Sequence, residues 1–145
     1  MNLDDNELRQ AYAAMESYKE RVEALSRQIQ VLRVSLDEVN LAAGALTAFR
    51  DAKEGDEIMV PIGAQSLITV KVTSNKNAVV GIGAGISVEK SAEDAIAYME
   101  ANGAEITEAL KKTTSVLGEA QQALSTLSQA VQQEYAARQQ SGTKQ

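Results

Sequence analysis

Two long stretches of this sequence carry an apolar residue at alternating intervals of three and four positions. The first stretch runs from Leu8 to Leu46 and the second from Ile96 to Val131. A mean interval of about 3.5 residues is the heptad repeat of a left-handed coiled coil. The single proline, Pro61, lies between the two stretches, so no proline interrupts either helix.

The second stretch is less regular than the first. Gly103 and Thr113 occupy seam positions, and a glycine inside a helix costs about 1 kcal/mol relative to alanine. Since the period continues through Gly103, we predict one helix with a close approach or soft spot there. Beyond Val131 the next seam positions are Glu134 and Arg138, where the apolar pattern is expected to fade.

The chain therefore divides into three parts and a tail within a single unit, 1–145. Helices are predicted over 4–50 and 91–138, separated by a central segment, 51–90, and followed by a polar tail, 139–145. Because the two helices are nearly equal in length, we expect them to pair with each other as an antiparallel hairpin. A parallel homodimer would also satisfy the heptads.

The central segment changes to a period of two with many β-branched residues, which predicts strands. Strands over 58–62, 66–73, 78–83 and 86–89 would form two hairpins. Isolated hairpins are marginally stable in water, and free strand edges attract further strands. We therefore expect other subunits to complete this sheet. The alternating apolar residues predicted to form the assembly surface are Ile58, Val60, Ile68, Val70, Val80, Ile82, Ile86 and Val88.

Composition excludes several kinds of chemistry. The chain has no histidine and no cysteine, which excludes disulfides, ordinary zinc sites and histidine-dependent catalytic triads. A net charge of −6 without a basic stripe argues against nucleic acid and anionic membranes as partners. The glycines of residues 81–85 precede a strand pattern and not a helix, so we interpret them as a turn and not a phosphate loop. The polar first residues do not form a signal peptide. We expect a cytosolic protein without enzymatic activity.

Two local sequences in the central segment are more specific than the heptads. VPIGAQS (60–66) leads into the hairpins and VVGIGAGISVEKS (79–91) leads out of them. With the flanking helices, this order resembles the alpha subunits of the prefoldin family. The resemblance implies an α+β fold whose hairpins complete an oligomeric β-barrel. It also implies an ATP-independent chaperone without a cofactor, built as a hexamer of two alpha and four beta subunits. Such a chaperone holds non-native polypeptides at its coiled-coil tips and delivers them to a group II chaperonin.

The sequence adds an argument about the tips, where both chain ends would meet. Apolar residues lie off the seam there, and seam residues face the positions where the pattern fades. A frayed end of this kind would expose apolar patches to unfolded chains. The predicted client-binding residues are Leu3, Leu8, Ala11, Tyr12, Met15, Val131 and Tyr135.

Other interpretations remain open at this point. The tip residues would also suit a simple cap on the coil. The whole chain would then be a structural scaffold or tether that binds folded partners. An accessory arm of an enzyme is a further possibility, but it would require basic residues along the arm and a catalytic domain, and the sequence has neither.

Overall fold

A computed structural model describes residues 3–142 and contains two long helices separated by four strands. The elements in chain order are α1 (Asp5–Asp51), β1 (Glu57–Gly63), β2 (Ser66–Lys71), β3 (Asn77–Gly83), β4 (Ile86–Ser91) and α2 (Ala92–Gly142). The predicted α+β class and order of elements are confirmed. Helix α2 continues to Gly142 and so includes the first residues of the segment that was expected to be a polar tail.

Both helices begin at side-chain caps. The Asp4 carboxylate accepts a hydrogen bond from the Glu7 backbone N–H at 2.7 Å, and the Glu7 carboxylate accepts one from the Asp4 N–H at 2.9 Å. This reciprocal pair is a capping box. At the start of α2, the Ser91 hydroxyl accepts a hydrogen bond from the Asp94 N–H at 3.1 Å. Side chains thus satisfy amide groups that have no partner within the first turn.

The heptad seam packs inward along both helices. All twelve apolar positions of α1 from Leu8 to Leu46 are buried or half-buried, and Ile29 is the most enclosed of them. On α2, seam residues from Ile96 to Val131 are likewise buried or half-buried, including Gly103. No helix within residues 3–142 is apolar over a length that would span a bilayer.

Two compact units share these helices. One is Leu32–Ala109, and the other comprises the chain through Val31 and from Leu110 onward. In the first unit, a Cβ atom added to Gly103 would contact the side chains of Leu36 and Val39. In the second, Arg138 contacts Asp5. Late residues of α1 therefore meet early residues of α2 in the first unit, and early residues of α1 meet late residues of α2 in the second, which confirms antiparallel pairing inside one chain.

The four strands form two separate antiparallel hairpins, β1–β2 and β3–β4. Each hairpin has a register shift just before its turn, between Pro61 and Gly63 in one and between Gly81 and Gly83 in the other. The glycine-rich residues 81–85 thus contain a hairpin turn, as the strand pattern after them predicted.

One lysine joins the end of α1 to the hairpins. The Lys76 ammonium donates hydrogen bonds to the backbone carbonyls of Phe49, at 2.8 Å, and Ala52, and it lies 5.1 Å from the centre of the Phe49 ring. The Lys76 carbonyl accepts a hydrogen bond from the Ala92 N–H at the start of α2. A cation at a helix C-terminus satisfies free carbonyls and complements the helix dipole.

Candidate functional site

Two tyrosines provide the exposed aromatic surface where the ends of α1 and α2 meet. Tyr12 is 45% exposed and Tyr135 is 56% exposed. Together with Val131 and Ala136 they line a groove of about 410 Å³ whose remaining walls include glutamine side chains. The groove combines apolar walls with groups that form hydrogen bonds, which suits an apolar side chain on a polar backbone.

The other predicted tip residues are less accessible than the tyrosines. Val131 is buried at 5% exposure, and the rest are half-buried, namely Leu3, Leu8, Ala11 and Met15. The structure therefore brings the predicted residues to the same region but covers most of their surface. Whether they contact a client stays a prediction.

A polar network occupies the seam positions where the sequence predicted fading. The Glu134 side chain is only 6% exposed. Its carboxylate accepts hydrogen bonds from the Leu3 N–H at 3.2 Å and from Arg138 Nε at 3.1 Å. Arg138 also donates to Asp5 at 2.9 Å and to the Leu3 carbonyl at 3.1 Å. The expected frayed end is therefore wrong in this respect, because a hydrogen-bonded cluster closes the seam.

The network changes the ionisation of its members. The hydrogen bond from Arg138 holds the pKa of Glu134 below its ordinary value, and the hydrogen bond from the Leu3 N–H acts in the same direction. The two carboxylates of Glu134 and Asp5 in turn raise the pKa of Arg138. Hydrogen bonds to a charged form favour that form, so the network is most stable when Glu134 and Arg138 are both ionised.

The hairpins carry a second exposed apolar surface. Of the eight predicted assembly residues, four are exposed, three are half-buried and one is buried. The exposed ones are Ile68, Ile82, Ile86 and Val88; the half-buried ones are Ile58, Val60 and Val70. Val80 is already buried within the single chain, at 3% exposure, whereas its neighbour Val79 is 73% exposed. Apolar strand surface left open to this extent is suited to a protein partner.

An apolar groove continues this surface toward the end of α1. It has a volume of about 540 Å³ and lies between that helix and the strands. Its apolar walls include Leu41, Leu46, Phe49, Ile58 and Val70. Hydrophobic groups in a groove of this kind gain most when another apolar element covers them.

Three features of these surfaces were missed by the sequence analysis. The alternation of strand residues gave no reason to prefer Val79 over Val80 as an exposed group. Lys76 lay between two predicted strands and was given no role, and Glu134 with Arg138 were treated as positions where the seam fades. Within residues 3–142, no cluster of three or more acidic side chains could hold a metal ion.

Comparison with known proteins gives one consistent result. Residues 18–137 match the family described as prefoldin subunit. The prefoldin subunit alpha of Methanothrix thermoacetophila is 34% identical over 74% of this chain and 71% of its own length. The prefoldin subunit alpha of Archaeoglobus fulgidus is 32% identical over 94% and 96%, respectively. Among solved structures, the filamentous prefoldin of Methanocaldococcus jannaschii matches the fold with a TM-score of 0.51 and 24% identity, covering 87% of this chain and 98% of that one.

Proposed function

This chain belongs to the prefoldin family, whose members are chaperone subunits, and we propose that it holds non-native polypeptides at the paired ends of its helices. The observation that supports this role is the pair of exposed tyrosines, Tyr12 and Tyr135, which line one groove together with Val131. Aromatic side chains offer large contact areas and few rotatable bonds, so they bind varied apolar segments at a small entropic cost.

We propose that the hairpins serve assembly. The exposed apolar residues of β1 to β4 would be covered by strands of other subunits, closing a β-barrel that a single chain cannot form. By analogy with the family, the partners are beta subunits, in a hexamer of two alpha and four beta subunits. The relative from Methanocaldococcus jannaschii is described as filamentous, so the measured oligomer size should distinguish a closed hexamer from an open assembly.

Transfer of the bound client would follow the holding step. As an ATP-independent chaperone in the cytoplasm, the assembled protein would pass its client to a group II chaperonin. Several tips on one body would raise the apparent affinity for a long unfolded chain through effective concentration. Each single groove can therefore bind weakly.

Aggregation of a denatured client tests the holding function. The assembled complex should suppress light scattering by citrate synthase diluted from guanidinium chloride. The double variant Tyr12→Ser/Tyr135→Ser should suppress it less, because each buried tyrosine or leucine contributes about 1.5–3 kcal/mol. A matched control, Tyr98→Ser, removes a tyrosine that lies beside Lys90 at the start of α2. Unchanged suppression by the double variant would place the client elsewhere.

The scaffold interpretation makes a different prediction in the same assay. A tether would bind one folded protein with a defined stoichiometry and would leave the scattering of every denatured client unchanged. Suppression by the wild-type complex therefore excludes a function restricted to tethering.

Assembly is tested with one charge placed on either face of β4. Ile86 and Val88 lie on the apolar face, and the intervening Ser87 lies on the opposite face because strand residues alternate. We expect Ile86→Asp to abolish the oligomer in sedimentation, since a buried unpaired carboxylate costs several kcal/mol. Ser87→Asp should leave the oligomer intact. An unchanged oligomer with Ile86→Asp would refute this face as the interface.

A further inference from the structure

The cluster formed by Glu134, Arg138, Leu3 and Asp5, here called the tip latch, joins the beginning of the described chain to the end of α2. Both polar backbone atoms of Leu3 are bound by it: the N–H donates to Glu134, and the carbonyl accepts from Arg138. Arg138 reaches Asp5 as well, at the first residue of α1. Three contacts thus fix the start of α1 against α2, and a fourth, from Arg138 to Glu134 within α2, completes the latch.

The tip latch lies directly beyond the apolar seam. Glu134 takes the heptad position that follows Val131, and both residues are buried. Leu3 and Leu8, on the other side of the seam, are half-buried. With the latch closed, most of the surface of these apolar residues is therefore covered.

The outer part of the tip latch is easy to open. The side chain of Arg138 is 43% exposed and that of Asp5 is 85% exposed. Ion pairs at the surface contribute little net stability, because water solvates the separated charges well. Glu134 is the exception, since its carboxylate is enclosed and depends on the contacts with Leu3 and Arg138. The closed latch therefore has one defined set of contacts, but these contacts contribute only a small free energy to keeping it closed.

We propose that the tip latch is an autoinhibitory contact that keeps Leu3 and Leu8 largely covered when closed, so that clients bind in the groove lined by Tyr12, Val131 and Tyr135. Opening releases the first turn of α1 from α2 and extends the apolar contact surface from the tyrosine groove into the seam. This inference rests on the proposed client binding at the tip. It adds that the tip has two states and that the tighter-binding state is the open one.

The test compares two arginine variants in the assembled, full-length protein. Arg138→Ala breaks three of the four latch contacts, whereas Arg9→Ala removes the same charge from an exposed position of α1 outside the latch. Backbone hydrogen exchange at residues 3–15 reports opening. Fluorescence anisotropy of labelled, reduced and carboxymethylated α-lactalbumin, which is permanently unfolded, reports client affinity.

We expect faster exchange in Arg138→Ala and an apparent client affinity about tenfold tighter, since loss of a charge-assisted hydrogen bond shifts an opening equilibrium by about that factor. Arg9→Ala should match the wild type in both measurements. Asp5→Asn, which removes one exposed contact, should shift both in the same direction by a smaller factor. It serves as a second variant in case Arg138→Ala disturbs the fold, which circular dichroism and sedimentation would reveal.

Two results would overturn the latch. Unchanged exchange in both latch variants would mean that the contacts do not hold the helix ends together. Faster exchange with unchanged or weaker client binding would mean that the closed tip is the binding state. The double variant of Tyr12 and Tyr135 separates this failure from failure of the proposed function. If that variant binds α-lactalbumin as tightly as the wild type does, the client site itself is misplaced.

Discussion

Replacing Gly103 with alanine should stabilise the protein. The glycine lies inside the continuous helix α2, at a seam position that faces α1. A Cβ atom added there would lie 3.7 Å from Val39 Cγ1, 3.9 Å from Leu36 Cδ1 and 3.9 Å from the Asn40 side-chain oxygen. These are ordinary van der Waals distances, so the methyl group fits without moving its neighbours.

Two contributions set the expected magnitude. Alanine is favoured over glycine inside a helix by about 0.8–1.0 kcal/mol. Complete burial of one methylene-sized group contributes about 0.8 kcal/mol, and Gly103 is half-buried, so roughly half of that applies. The sum is about 1.3 kcal/mol, which raises the melting temperature of a domain of this size by roughly 3–5 °C.

A second glycine of α2 separates the two contributions. Gly118 is exposed, and a Cβ atom there would meet nothing within 4 Å. Gly118→Ala should therefore gain only the propensity contribution of about 1 kcal/mol. Urea unfolding followed by circular dichroism measures both variants, at one chain concentration because assembly would shift apparent stability.

The comparison has a clear refuting result. If Gly103→Ala destabilises the protein while Gly118→Ala stabilises it, the two helices approach more closely at Gly103 than these distances indicate. The glycine would then be a required close contact. A larger substitution, Gly103→Leu, should destabilise by about 1–3 kcal/mol through overpacking in either case.

Three further changes have defined outcomes. Lys76→Met should lower the unfolding free energy by about 1–3 kcal/mol in urea unfolding because the last carbonyls of α1 lose a charged donor, whereas Lys53→Met at an exposed position should have little effect. Gln65 has a positive φ of 57° in the first hairpin turn, and Gly85 has a positive φ of 75° in the second. Because glycine adopts a positive φ more easily than other residues, Gln65→Gly should stabilise the protein by about 1 kcal/mol in thermal unfolding. Gly85→Gln should destabilise it by about the same amount. Because Glu134 has a lowered pKa when folded, its stabilisation is complete above the ordinary pKa near 4.5 and is lost as the pH falls through the lowered value. Protection from hydrogen exchange at the tip, taken relative to the intrinsic exchange rate at each pH, should therefore fall over that acid range in the wild type and not in Glu134→Gln.

The coiled-coil part of the fold could be predicted because its information is local. A heptad repeat places its residues on one face whatever the partner is, so the seam from Leu8 to Leu46 followed from spacing alone. The hairpins were predictable for the same reason, since β-branched residues at a period of two and glycine near the turns act over a few positions. The strand ends differ from the predictions by one or two residues, as strand boundaries do when pairing decides them.

The contacts that could not be predicted join residues far apart in sequence. Lys76 caps a helix that ends more than twenty positions earlier, and Glu134 binds an amide at the opposite end of the chain. Charged residues are seldom buried unless they are paired, so the sequence alone indicates solvent-exposed positions for Lys76 and Glu134. Only the register of the two helices brings the partner close enough to pair.

Glu134 is an unfavourable choice if stability of the helix pair were the only requirement. A leucine at that seam position would continue the apolar contact of Val131, and replacing buried polar groups by packed apolar ones is often neutral or stabilising. Apolar residues there would also bind each other without directional preference, and the exposed end would attract other tips. A buried carboxylate with two defined donors instead accepts one register of Leu3 and Arg138, and while this contact is closed it interrupts the apolar surface at the end of the seam. If the tip binds clients as proposed, this arrangement would keep it from binding other copies of itself.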